Sequence, residues 1–192
     1  MSEHDSFAER GRALEEDYFR RKNRELIEKM QREARDEQAR QDMAQKTGLH
    51  DPEMLSELQA LGFTPDTVGL LPLVPVIQVA WGEGVVTDAE RSALVKLARA
   101  RGIAEGSAAD HQLTTWLAHL PEPQVFTRAT RLIRAMLDSP SHEEVPITAD
   151  DLVKYCETIA AASGGILGIN KISAEERALL TQIAAGLKTR TP

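Results

Sequence analysis

The chain has 192 residues, a hydrophobic fraction of 42% and an aromatic fraction of 4%, which is enough apolar material for one core of ordinary size plus an appendage. Ala, Leu, Glu and Arg are abundant and β-branched runs are few, the usage of helical proteins, so almost no sheet is expected. A formal net charge of −7 gives no general attraction for phosphate backbones or anionic lipid surfaces, which argues against nucleic acid as a partner, and one cysteine, Cys156, excludes an internal disulfide.

The opening MSEHDSFAER lacks a basic region followed by an apolar core, so no secretory leader is expected and the cytoplasm is the expected compartment. From about Phe7 to Gln45 there is no proline, the only glycine is Gly11, and more than half of the residues between Glu9 and Arg40 are charged, with both signs interleaved. This pattern predicts one long exposed helix within residues 1–47. Its apolar residues Phe7, Leu14, Tyr18, Phe19, Leu26, Ile27 and Met30 recur at three- and four-residue steps and then thin out towards Met43, which gives a docking face to the first half alone.

Gly48 closes that helix, and His50-Asp51-Pro52-Glu53 starts a short one, with Asp51 as cap and Pro52 at the first helical position. A third helix is predicted from Thr64-Pro65-Asp66 through LLPLVPVIQVAW. It is apolar on nearly every side, hence central and buried, and kinked or broken by Pro72 and Pro75. The apolar stretch Val68 to Trp81 is too short to span a bilayer, so no membrane insertion is expected.

Thr87-Asp88-Ala89-Glu90 has the form of a capping box and opens a helix with Leu94, Leu97 and Ala98 on one face, ended by Gly102. Ser107 with Asp110 starts the next, carrying Leu113, Trp116 and Leu117 and stopped by Pro121 and Pro123. A further helix holds Phe126, Leu132, Ile133, Met136 and Leu137, followed by a polar loop from Pro140 to Pro146. Thr148 with Asp151 caps a helix carrying Leu152, Tyr155, Cys156 and Ile159. A second capping box, Ser173-Ala174-Glu175-Glu176, precedes Leu179, Leu180 and Ile183. The stretch VAWGEGVVTDAER is echoed by GILGINKISAEER, as two similar helical hairpins packed as a pseudo-repeat would require.

The segment VPVIQVAWGEGVVTDAERSALVKLARARGI is similar to the signature of tellurite-resistance B (TerB) domains, over about residues 51–188. The apolar helix, the Gly84 turn, Val86, Thr87 and Glu90 fall in place, whereas Glu83 stands where the family usually has Asp and Ile169-Asn170 replaces an acidic pair. The resemblance implies a compact all-α bundle linked to stress responses and membrane-associated complexes. It also implies that acidic residues, here Glu83, Asp88 and Glu90, hold a divalent metal ion, although turn and cap chemistry is the stronger reading, since the capping box by itself explains Glu90 fully.

FAERGRALEEDYFRRKNRELIEKM resembles the inhibitory helix of the small inhibitor protein of the rotary ATP synthase, aligned without a gap. The matching residues are Phe7, Arg10, Ala13, Glu15, Glu16, Tyr18, Phe19, Arg20, Glu25 and a hydrophobic residue near Leu26, while Gly11 and Leu14 replace residues usually polar. The family's histidine-rich stretch is replaced by QREARDEQARQ, so no pH switch is inferred. The resemblance implies apolar anchors at Tyr18 and Phe19 and a polar register at Arg10, Glu15, Glu16 and Arg20.

From the residues alone the helix has two readings: it self-associates or packs back on the domain, or it grips another protein through Phe7, Arg10, Leu14, Glu15, Glu16, Tyr18, Phe19, Arg20 and Leu26. His111 and His119 lack a third ligand at zinc-like spacing, Cys156 lies among core residues, and Gly164, Gly165 and Gly168 lack the Gly-Lys-Ser/Thr of a phosphate loop. No nucleophile, base or metal constellation emerges. The expected function is therefore that of a non-enzymatic regulatory or interaction protein, with inhibition of the rotary ATP synthase or a structural adaptor role as alternatives.

Overall fold

A computed structural model describes residues 3–139, 147–163 and 174–188, except for the side chains of 3–14, 163 and 176. Among these residues there are eight α-helices, one 3-10 helix and no strand, so the fold is all-α. The chain divides into two compact units, Met1–Gln41 and Asp42–Pro192. The division falls inside the first helix, α1 (Glu3–Thr47), six residues before its end.

The first unit is α1 up to Gln41 and consists of that helix alone. Its helicity follows from charges at three- and four-residue spacing. Arg21 lies 3.6 Å from Asp17, Lys22 3.3 Å from Glu25, Lys29 3.8 Å from Glu33 and Arg40 2.7 Å from Glu37. Each such exposed pair contributes only about 0.3–0.5 kcal/mol.

The second unit begins with the last turns of α1. Met43, Ala44 and Thr47 are buried there, which the charged run preceding them does not suggest. The Thr47 hydroxyl donates to the Met43 carbonyl (2.8 Å) and accepts from Leu49 N–H (3.2 Å). Gly48 then takes φ +71°, a left-handed conformation that most side chains resist, and donates to the Ala44 carbonyl at 2.8 Å to end the helix. The Gly48 carbonyl accepts from the Ser139 hydroxyl at 2.8 Å. Helix α2 (Pro52–Ala60) follows with Asp51 as cap, its carboxylate accepting from Glu53 N–H at 2.9 Å.

The helix expected from Thr64 is divided. Thr64 to Thr67 form a turn, in which the Thr67 hydroxyl accepts from Thr64 N–H (2.9 Å). A 3-10 helix, Val68–Leu73, comes next, and only then α3 (Val74–Ala80). The reason is chemical: Pro72 and Pro75 have no N–H to donate to the carbonyls four residues back, so a continuous α-helix cannot form across them. In α3 every residue except Gln78 is buried. It packs against the 3-10 helix, α4 (Asp88–Ala100), α6 (Pro123–Leu137), α7 (Ala149–Ser163) and α8 (Ala174–Lys188). The echoed hairpins α3/α4 and α7/α8 therefore meet directly, with α7 lying on both α3 and α4. The turn and cap residues 164–173 of the second echo lie outside the described residues.

Helix α5 (Ala108–Ala118) packs on the 3-10 helix. Trp81 Nε1 donates to the Trp116 carbonyl (2.9 Å), Arg91 donates to the Leu117 carbonyl (2.9 Å), and Phe63 meets Trp116 edge to face at 5.7 Å. Ser107 caps α5 by accepting from Asp110 N–H (3.2 Å). The Asp110 carboxylate in turn takes Gly106 N–H (2.8 Å) and Arg99 (2.7 Å), and these two donors hold it below the usual carboxylate range. Thr148 and Asp151 cap α7 reciprocally, Asp151 accepting from the Thr148 N–H and hydroxyl and Thr148 accepting from Asp151 N–H.

Packing of α3 predicts a sharp contrast between the two units. Ile77→Ala, at a fully buried position, is expected to cost about 2–5 kcal/mol of stability. Asp36→Ala, at an exposed one, is expected to stay within about 0.5 kcal/mol. Urea unfolding of the two variants against the parent chain checks both.

Candidate functional site

Large apolar side chains normally find cover, yet every residue from Glu15 to Gln38 is exposed. Five of them are large and apolar: Tyr18 is 52% exposed, Phe19 61%, Leu26 56%, Ile27 54% and Met30 60%. Helical geometry sorts these five. Phe19, Leu26 and Met30 follow one another at steps of seven and four and share a face, Ile27 lies to one side of it and Tyr18 to the other. Tyr18 and Phe19 meet edge to face with ring centroids 5.7 Å apart. Grouped exposed apolar residues of this size mark an interaction surface more often than a bare solvated one.

The charges around these residues are sorted into blocks. Glu15, Glu16 and Asp17 precede the aromatic pair, and Arg20, Arg21, Lys22 and Arg24 follow it. Arg20 turns back to donate to the Glu16 carbonyl at 3.4 Å, and Asp17, Arg20, Arg21 and Arg24 line a shallow surface depression. Of the sequence-predicted docking residues, Glu15, Glu16, Tyr18, Phe19, Arg20 and Leu26 are all exposed on this one helix. Phe7, Arg10 and Leu14 belong to α1 by backbone, but their side chains lie outside the described residues.

The acidic trio is placed differently. Glu83 and Asp88 are exposed, whereas Glu90 is 2% exposed. The Glu90 carboxylate accepts from both the N–H and the hydroxyl of Thr87, each at 2.8 Å, and the Thr87 hydroxyl oxygen accepts from Glu90 N–H at 3.3 Å. The capping box is complete, and it occupies the oxygen of Glu90 that faces the turn. Gly84 holds that turn at φ +83°. Among the described residues no three His, Cys, Asp or Glu side chains gather where a metal ion could sit, so Glu83, Asp88 and Glu90 are not brought together as a ligand set. His111 and His119 are both exposed on or beside α5.

Cys156 is fully buried in α7, and burial pushes its thiol up to about 12. At neutral pH it carries no thiolate and acts as a small apolar core residue. Sequence reasoning missed two contacts between elements. Glu57 of α2 is paired with both Arg128 and Arg131 of α6, and Lys188 at the end of α8 lies 2.6 Å from Asp150 at the start of α7. Partners so distant along the chain leave no periodic signal. Among the described residues no helix is long and apolar enough to cross a membrane.

No family model, no curated protein and no solved structure matches the chain.

The cap makes a measurable claim about Glu90. Glu90→Ala strands the Thr87 N–H and hydroxyl and is expected to lower stability by about 1–3 kcal/mol, with Glu90→Gln, which can still accept, losing less. Thermal unfolding of the two variants checks the order. Equal losses would mean that the carboxylate does something other than cap α4.

Proposed function

We propose that this chain is a non-enzymatic regulatory or interaction protein, a TerB-like helical module whose N-terminal helix binds a protein partner. The observation that carries this reading is the exposure of Tyr18, Phe19, Leu26, Ile27 and Met30 on one helix whose charges are ordered in blocks. Aromatic and aliphatic anchors with a charged surround are the usual composition of a helix that lies in the groove of a partner. The similarity of VPVIQVAWGEGVVTDAER to TerB domains supports the module, and with it a link to stress responses in the cytoplasm.

A second reading, inhibition of the rotary ATP synthase, draws on a separate observation. The positions of the inhibitor-like pattern that are described, Glu15, Glu16, Tyr18, Phe19, Arg20, Glu25 and Leu26, are all available on the surface of the helix. In this reading Tyr18 and Phe19 anchor the helix between subunits and the neighbouring charges fix its register.

ATP hydrolysis by the cognate ATP synthase, measured with the full chain and with its Tyr18→Ala/Phe19→Ala variant, separates the two. Inhibition by the parent chain that the variant loses supports the ATPase reading. Its absence at excess protein removes that reading and leaves the helix to another protein partner.

A further inference from the structure

The order of charges about Tyr18 and Phe19 has a property that one helix by itself does not use. Reading outward from the bond between these two residues, acid on one side is matched by base at the same distance on the other: Asp17 with Arg20, Glu16 with Arg21, Glu15 with Lys22. Further out the same rule holds for Arg12 with Glu25 and for Asp5 with Arg32, and only Glu9 with Glu28 sets like charges at equal distance. Some of the apolar positions obey it as well, since Tyr18 mirrors Phe19, Phe7 mirrors Met30, and Gly11, the smallest residue, mirrors Leu26, whereas Leu14 falls opposite Asn23 and Ile27 opposite Arg10. A sequence with this mirror order is complementary to itself when two copies run antiparallel.

We infer that α1 pairs with α1 of a second copy of the chain, antiparallel, about a two-fold axis that passes between Tyr18 and Phe19. The inference rests on the proposal that this helix binds a protein partner and names that partner. In this register Glu15 of each copy lies opposite Lys22 of the other, on the side of the helix that carries Tyr18 and Phe19, twice over. Leu26 lies at the level of Gly11, which has no side chain to oppose it. Matched positions extend from Asp5 to Arg32, a contact length of roughly 40 Å at 1.5 Å per residue.

A parallel, in-register pair does not satisfy the same residues. The face of Phe19, Leu26 and Met30, continued at coiled-coil spacing, reaches Glu16 in one direction and Glu33 in the other. Each would then confront its own copy, acid against acid, at a seam position. The present partners of the charges do not compete strongly, because Arg21–Asp17 and Lys22–Glu25 are exposed pairs within one helix, separated by 3.6 and 3.3 Å.

Sedimentation equilibrium of the full chain tests this with charge reversal. The parent is expected at twice 21.2 kDa. Glu15→Lys/Glu16→Lys/Asp17→Lys and Arg20→Glu/Arg21→Glu/Lys22→Glu are each expected at the single-chain mass, with helical content by circular dichroism confirming that both remain folded. Their equimolar mixture is expected to return to twice that mass, which a variant damaged in folding would not do. Ala8→Cys and Lys29→Cys chains should form a mixed disulfide with each other in preference to homodimers, which fixes the antiparallel direction.

A parent chain of single mass up to its highest soluble concentration overturns the inference, as does a dimer that both reversals leave intact or a mixture that stays single. If the parent is single but still inhibits the ATP synthase through Tyr18 and Phe19, self-pairing fails and the protein-binding reading stands. If the parent is single and no such inhibition is found, self-pairing and the ATPase reading fail, and the helix is left to another protein partner.

Discussion

Helix α3 carries apolar side chains almost all the way round, and the second unit is arranged to cover them. A helix with one apolar stripe needs one neighbour, but one buried on every face must be enclosed. The 3-10 helix, α4, α6, α7 and α8 all pack on it. The proline pair shapes this centre: by ending α-helical hydrogen bonding before Val74, Pro72 and Pro75 restrict the enclosed helix to seven residues, Val74–Ala80. Polar contacts between other elements then fix orientation where apolar packing leaves it open, Trp81 on the Trp116 carbonyl and Arg91 on the Leu117 carbonyl being the clearest.

The first unit follows the opposite rule. From Glu15 to Gln38 nothing is buried, so its helicity depends on propensity and on weak charge pairs within the helix. Most helical stability in proteins comes from an apolar face packed on something else. A helix of this length with Tyr18, Phe19, Leu26, Ile27 and Met30 uncovered has such a face without a cover inside its own unit. That imbalance between the two units, one enclosed and one bare, is the physical basis of the proposal that α1 binds a partner.

The sequence was readable wherever a signal was local. Thr87 with Glu90, Ser107 with Asp110 and Thr148 with Asp151 mark three helix starts, and all three are hydrogen-bonded caps. The burial of VPVIQVA followed from its lack of polar residues. What depended on position in space was not legible. Pro123, read as a stop for α5, also opens α6, and the break expected at Pro72 and Pro75 takes the form of a 3-10 helix, which the prolines alone do not specify. The boundary between units falls inside α1, because Met43, Ala44 and Thr47 belong to the core of the bundle while an unbroken helical pattern runs across them. Among the acidic residues considered as a ligand set, Glu90 was legible as a cap from its spacing to Thr87, and that is the role its contacts show.

Amide hydrogen exchange of the full chain, followed for residues 15–38 at several protein concentrations, tests most directly the claim that the bare face of α1 is a pairing surface. An uncovered helix opens readily, whereas one paired along its length is protected. The account predicts protection of Glu15 to Met30 that rises with concentration, while the amides of α3 stay equally protected throughout. Exchange over residues 15–30 that is fast and independent of concentration would contradict it, leaving α1 a solvated helix with no second copy upon it.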